Sequence, residues 1–237
     1  MFNNIWRYND ELKKYLKRPF NGVELISRNY SQAWQDMFVL YYLKGKKFGT
    51  YLEIGGNDPI NNNNTYLLSS MFSWFGLTIE YDPSFINSWN INRPKQNLLV
   101  ADALSLNYSD VLANYFSKCG NVIDYLQLDI DPSLNTLRGL ENLPLNDWKF
   151  SIISFETDAY SGNLYAREKS REILSSHGYK LLIPNIGVHF SPISNSPIPF
   201  EDWWVHADVF DEELDLKMIG YDADINLPQN FLFREKE

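Results

Sequence analysis

Acidic side chains recur in this chain at the ends of short apolar runs, a spacing at which carboxylates can bind a cation or accept protons. Glu53 stands in YLEIGGND, Glu80 in LTIEYD and Asp102 in VADAL; Asp129 and Asp131 follow in LQLDIDP, then Glu156 and Asp158 in SFETD. A carboxylate in such a place repels a phosphate and attracts a positively charged ligand. The first run continues as YLEIGGNDPINNNNTYLL, where Gly55 and Gly56 let a ligand come close to the backbone. A dinucleotide fingerprint is absent, since the next glycine after Gly56 is Gly76, and no Gly-Lys-Ser/Thr follows. A pyrophosphate cradle is therefore not encoded.

These acids need elements to position them. Apolar runs rich in β-branched and aromatic residues at Tyr51–Ile54, Leu77–Ile79, Leu98–Val100, Val122–Leu128, Phe150–Phe155 and Tyr179–Ile183 predict strands. Between them, Tyr66–Phe75, Phe85–Ile91, Tyr108–Phe116, Leu134–Leu140 and Arg167–His177 carry apolar residues at helical spacing, the last stopped by Gly178. Strands alternating with helices imply an α/β fold, doubly wound, with a mostly parallel sheet covered on both faces. Ligands of such sheets settle beyond the carboxyl ends of the strands. Residues 1–30 read as an N-terminal helical extension and 31–237 as the main domain. Within it, 185–210 reads as a substrate-side loop or lid with a last edge strand, followed by a short helix Asp211–Met218.

Composition narrows the function. With 237 residues, 44% apolar, the chain can bury one full core. A formal charge of −9 argues against nucleic acid as a partner, because that affinity comes mainly from Lys and Arg. Cys119 is the sole cysteine, which suits a reducing compartment, and the expectation is a cytoplasmic protein. No run of about 18 apolar residues predicts a membrane span, and the N-terminus mixes charge too evenly for a signal peptide.

The acid order points to a cationic cofactor. S-adenosylmethionine carries a sulfonium and an ammonium that Glu53 would attract. Glu80, about 25 residues after Gly55, is placed to accept ribose hydroxyls, and Asp102, beside Ala103, to reach the adenine amino group. Asn64 can cap the helix starting near Thr65 and bond the cofactor's carboxylate at the helix N-terminus, whereas Asn61 to Asn63 read as a solvated loop.

From Tyr30 to His206 the chain resembles the FkbM-type methyltransferases, a branch of the class I S-adenosylmethionine-dependent fold. The carrying pieces are YSQAWQDMFVLYYL, YLEIGGNDPINNNNTYLL, TIEYDPSF, DYLQLDIDPSLNTLRGL, SIISFETD and PFEDWWVH, with Ser31, Gln32, Gln35 and Asp36 matching a Ser-Gln-x-x-Gln-Asp lead-in. Gly56 departs from the family's alanine and Pro59 from its glycine, Asp131-Pro132 replace Glu-Gly, and Thr157 stands where a histidine is common. The resemblance implies a seven-stranded Rossmann-like methyltransferase sheet. With the reading above it sets the cofactor against Gln35, Glu53, Gly55, Gly56, Asn57, Asp58, Asn64, Thr65, Glu80, Asp102, Ala103 and Asp129.

Methyl transfer to a hydroxyl requires alignment and removal of a proton. Asp129, Asp131, Glu156 and Asp158 are the candidates, with His206 added by its match to the family's Glu-Asp-Trp-Trp/Tyr-Val-His. Either one carboxylate acts as base, or Asp129, Glu156 and Asp158 hold a divalent cation such as magnesium. Asp131 is otherwise a helix cap, and Glu156 and Asp158 otherwise pair with Arg167 or Arg171. The expected function is O-methylation of a sugar or glycan hydroxyl. Alternatives are an N-methyltransferase of nucleic acid or protein, and a non-catalytic S-adenosylmethionine-binding scaffold. Acceptor identity and oligomeric state are left open.

Overall fold

The computed structural model describes residues 13–188, 197–213 and 224–234. The apolar runs form seven strands: β1 Thr50–Ile54, β2 Phe75–Glu80, β3 Asn97–Val100, β4 Val122–Leu128, β5 Lys149–Glu156, β6 Tyr179–Val188 and β7 Ile198–His206. They make one sheet in the order β3-β2-β1-β4-β5-β7-β6. β1 to β5 pair in parallel, and β7 runs antiparallel to both its neighbours. The helices are α1 Gln35–Tyr42, α2 Tyr66–Phe72, α3 Ile86–Asn92, α4 Tyr108–Phe116, α5 Ser133–Asn142, α6 Tyr165–Ser176 and α7 Pro228–Leu232. This is the doubly wound, mostly parallel sheet of the Rossmann-like methyltransferase fold.

Successive residues of a strand face opposite sides, so each strand feeds two cores. On one face Met37, Phe38, Leu68 and Phe72 pack on Tyr51, Tyr125, Ile152 and Trp203. On the other, Leu112, Phe116, Leu137 and Leu174 pack on Leu52, Ile54, Leu126, Ile153 and Trp204. The neighbouring tryptophans of β7 thus anchor it to both layers, Trp203 stacking on Phe38 with ring centroids 4.2 Å apart.

The chain departs from expectation at several places. The helix predicted to Phe75 ends at Phe72, where Ser73 turns left-handed (φ 59°) and releases Phe75 into β2. Residues 185–188 and 198–206, expected within a lid and an edge strand, belong to β6 and β7. β7 lies inside the sheet because its two tryptophans are buried on both sides, which an edge position could not supply. The expected helix Asp211–Met218 falls outside the described residues beyond Glu213, and the helical extension is described only from Lys13. From there the chain makes short 3-10 turns at Lys13–Tyr15 and Val23–Leu25 and bridges the C-terminal segment through Leu16 and Phe233. Among the described residues no helix is long and apolar enough to cross a membrane.

Asp202, fully buried on β7, receives Arg171 Nε at 2.8 Å, Arg171 Nη2 at 2.9 Å and the Asn185 amide at 2.8 Å. Arg171 therefore serves Asp202 and not Glu156 or Asp158, while Arg167 bonds Glu168 and Asn185. Removing one partner of a buried pair leaves an uncompensated charge. Arg171→Met is expected to cost about 3 kcal/mol in urea unfolding. Lys149→Met, which breaks the exposed bridge to Asp208, should cost about 1 kcal/mol or less. Equal losses would overturn this assignment.

Candidate functional site

The loop after β1 is shaped by what it must avoid. Gly55 has φ +85°, and a Cβ there would lie 1.8 Å from the Asp129 carbonyl oxygen; a Cβ on Gly56 would lie 2.1 Å from Thr78 Cγ2. Neither position admits a side chain without moving β4 or β2. Beyond the glycines, the Asn57 amide donates to Glu80 Oε2 at 2.7 Å, and Trp89 Nε1 donates to the Asn57 carbonyl at 2.9 Å. Asp58 Oδ1 accepts from the amides of Ile60 (2.8 Å) and Asn61 (2.7 Å), which folds the loop back on itself. Asn63, expected in solvent, is buried: its Nδ2 donates to the carbonyls of Gly56 and Asp58, and its Oδ1 accepts from the Thr65 amide at 3.0 Å. Asn63 thus holds Thr65, the N-cap of α2, through its amide; no side chain among the described residues caps the helix itself, a part the sequence reading gave to Asn64.

Under the loop lies a buried ion pair. Glu53 Oε2 accepts from Thr78 Oγ1 at 2.8 Å, Thr65 Oγ1 at 3.0 Å and Asn63 Nδ2 at 3.4 Å, with Arg93 Nη1 at 4.0 Å. Arg93 in turn donates to Asn63 Oδ1 (3.0 Å), Thr65 Oγ1 (3.0 Å), Tyr51 Oη (2.8 Å) and Ser69 Oγ (2.9 Å), with its guanidinium 4.6 Å from the Trp89 ring centroid. Burial raises the Glu53 pKa and the Arg93 charge opposes that rise. All of these partners meet Oε2, so the carboxylate is fixed where it lines the adjoining cavity.

That cavity, about 320 Å³, opens at the carboxyl ends of β1, β4 and β5 and is walled by Glu53, Gly55, Asn57, Asp58, Asn64, Gln127, Asp129, Glu156 and Glu201, with Gln32 and Gln35 opposite. Phe200 is its one apolar side chain among the described residues. Two buried acceptors in its walls, Asn64 Oδ1 and Gln127 Oε1, have no hydrogen-bond partner among the described residues. Asp129 and Glu156 sit close enough to share a proton. Burial raises both, and the Asp129 charge pushes Glu156 further, so Glu156 holds the proton and Asp129 ionises first. Glu201 faces Glu156 across the β5/β7 pairing and is pushed up to about 8 by burial, against donation from Gln35 Nε2 (3.1 Å) and Trp203 Nε1.

A second cavity of about 530 Å³ adjoins the first, sharing Gly55, Asn57 and Asp129 and adding Glu80, Asp102, Ala103, Leu104 and Asp131. Both Glu80 oxygens are oriented by backbone amides, Oε2 by Asn57 and Oε1 by Asp82 at 2.8 Å, and a carboxylate retains lone pairs for further donors. Asp102 is exposed and caps a 3-10 turn through the Leu104 amide (2.9 Å) while lining this cavity.

The remaining predicted residues divide. Asp131 is exposed and lines the second cavity, but it does not cap α5: the Ser133 amide there donates to Asp158 Oδ2 at 3.1 Å. Asp158 lines neither cavity, because its left-handed backbone (φ 46°) turns it toward α5. His206 lies at the opposite edge of the sheet, since β7 runs antiparallel and Val205 already pairs with Ile152. There its Nδ1 accepts from the Asp208 amide at 3.1 Å, and its ring packs on Tyr179. Among the described residues no group of three His, Cys, Asp or Glu side chains is arranged to hold a metal ion, so Asp129, Glu156 and Asp158 do not fit a magnesium site. Thr65 supports Glu53 from beneath and lines neither cavity.

Glu201, Gln127, Arg93 and Trp89 escaped the sequence reading. Glu201 was visible only as part of PFEDWWVH, and the strand direction needed to tell which end meets the site is not local information. Gln127, with Asp124 one of two polar residues in an otherwise apolar strand, carried the better signal.

No family model matches the chain, and no curated protein does. Solved structures do match. A putative RNA methyltransferase from Pyrococcus horikoshii aligns at 11% identity and TM-score 0.50, over 80% of this chain and 93% of its own. A putative O-methyltransferase from Klebsiella pneumoniae aligns at 15% identity and TM-score 0.48, over 73% and 80%. Fibrillarin of Aeropyrum pernix, solved with natively bound S-adenosyl-L-methionine, aligns at 12% identity and TM-score 0.42, over 68% and 67%. At these identities the likeness concerns the fold.

A carboxyl whose pKa rises on folding binds protons more tightly in the native state, so stability falls as pH rises between its unfolded and folded values. For Glu201 that window runs from near 4.5 to about 8. Glu201→Gln keeps the shape and removes the charge; thermal unfolding should find it more stable than wild type at pH 8, by roughly 1 to 3 kcal/mol, and closer to it at pH 5. A constant difference across that range would refute the buried, proton-holding carboxyl.

Proposed function

We propose that the chain is an S-adenosylmethionine-dependent O-methyltransferase that acts on a hydroxyl of a sugar or glycan-type acceptor. The observation that carries this reading is the acceptor-lined cavity at the carboxyl edge of the sheet, with Asn64 Oδ1 and Gln127 Oε1 buried and unpartnered beside acids. Such atoms call for a ligand rich in donors and positive charge. The FkbM-type resemblance of the motifs supports a hydroxyl acceptor.

Gly55 and Gly56 present bare backbone on the cavity wall where the cofactor passes, Glu53 and Asn64 meet its amino-acid end, Glu80 takes its ribose hydroxyls, and Asp102 with Ala103 flanks its adenine. When bound, the cofactor supplies an electrophilic methyl group on a sulfonium. Asp129, the first of the Asp129–Glu156 pair to ionise, would take the proton of the acceptor hydroxyl, whose oxygen bonds the methyl carbon as the carbon–sulfur bond breaks and leaves a neutral thioether. Glu156 keeps its own proton and donates it toward Asp129, which holds the base in place.

Calorimetry with S-adenosylhomocysteine tests the reading. Wild type is expected to bind with Kd on the order of micromolar. Glu80→Ala should weaken binding at least about tenfold, by removing acceptors for charge-free but buried donors. No binding by wild type would sink the proposal, and unchanged affinity in Glu80→Ala would remove Glu80 from the cofactor site.

A further inference from the structure

The cavity is larger in acidic character than a cofactor with one ammonium requires. Glu53 and Asn64 lie on the β1–α2 side, whereas Glu156, Glu201 and Gln127 lie on the β4, β5 and β7 side. Among the described residues no Lys, Arg or His lines either cavity, so an acceptor bearing a phosphate or carboxylate would meet like charge there. Gln127 is a second, separate sign: its Oε1 is buried without a partner, and a carbonyl oxygen there can be satisfied only by a donor.

Resting on the hydroxyl-acceptor reading, we propose that the acceptor is an amino-polyol, with a protonated amine near the hydroxyl to be methylated, and that Glu156, Glu201 and Gln127 Oε1 form the subsite for its ammonium. An ammonium offers three donors, and the subsite offers one carbonyl oxygen and two carboxyl groups. Glu201 is already oriented, by Gln35 Nε2 at one oxygen and by Trp203 Nε1 at the other, so it is held for binding before a ligand arrives. Gln35 on α1 and Trp203 on β7 hold it from two different elements, which distinguishes this subsite from a loose cluster of surface acids. Because burial keeps a proton on Glu201 in the empty site, an arriving ammonium replaces that proton as the source of positive charge, while Glu156 keeps the proton it gives to Asp129 and accepts through its other oxygen. A neutral hydroxyl in the same place supplies donors without charge, and charge-assisted bonds are about twice as strong.

The test is calorimetry at pH 7.5 with three probes of one ring shape, glucosamine, glucose and glucuronate, on protein with and without saturating S-adenosylhomocysteine. Glucosamine is expected to bind at least about tenfold more tightly than glucose, with glucuronate weakest. Glu201→Gln should bring glucosamine down to the level of glucose while leaving S-adenosylhomocysteine affinity as in wild type. An equal response to glucose and glucosamine, no response to glucosamine, or tighter binding of glucuronate overturns the proposal. If S-adenosylhomocysteine itself fails to bind, the methyltransferase reading falls, while the three-probe comparison on the protein alone still decides this one.

Discussion

A carboxylate withdrawn from water loses hydration worth several kcal/mol unless donors or a cation replace it. At the carboxyl edge of this sheet Glu53 and Glu201 are buried and Asp129 and Glu156 part-buried around one cavity, and each answers that requirement differently. Glu53 is met by hydroxyls, an amide and a guanidinium. Glu156 keeps a proton that Asp129 shares. Glu201 is met by an amide and an indole, and burial still drives its pKa upward. The fold around the cavity consists largely of the devices that make these solutions possible.

Arg93 shows how far the requirement reaches. It follows α3, well outside the strand ends, yet its guanidinium spans Tyr51 on β1, Asn63 in the loop, and Thr65 and Ser69 at and beyond the start of α2. One side chain thereby couples the strand that bears Glu53 to the loop that bears Asn64. The glycines act in the opposite sense, by leaving space: Gly55 admits the Asp129 carbonyl and Gly56 admits Thr78, so β1, β2 and β4 converge on the turn.

Much of this was legible in the sequence. Periodicity located six of the strands and the core helices, with Val122–Leu128 and Tyr108–Phe116 matching to the residue, because buried parallel strands read as continuous apolar runs. The strand-end acids Glu53, Glu80, Asp102 and Asp129 all reach one of the two cavities, since a parallel sheet aligns its carboxyl ends. What failed was long-range. His206 was misplaced because a motif does not reveal strand direction, and an antiparallel strand sends its last residue to the far edge. Asp158 and Asn63 were misread because a cap supplied from 25 residues away, or an asparagine buried by an arginine 30 residues downstream, leaves no local signature.

The adjacent acids of β7 carry one more implication. Glu201 faces α1 and meets Gln35, while Asp202 faces α6 and meets Arg171, so neighbouring carboxylates answer to unlike partners on opposite sides of the sheet. A strand docked one position out of alignment would strand one charge beside an amide and deprive the arginine of its mate, and both tryptophans would trade layers. The dipeptide therefore acts as a registration key: it disfavours slipped pairings of the reversed strand, which carries Phe200 and Glu201 into the cavity wall.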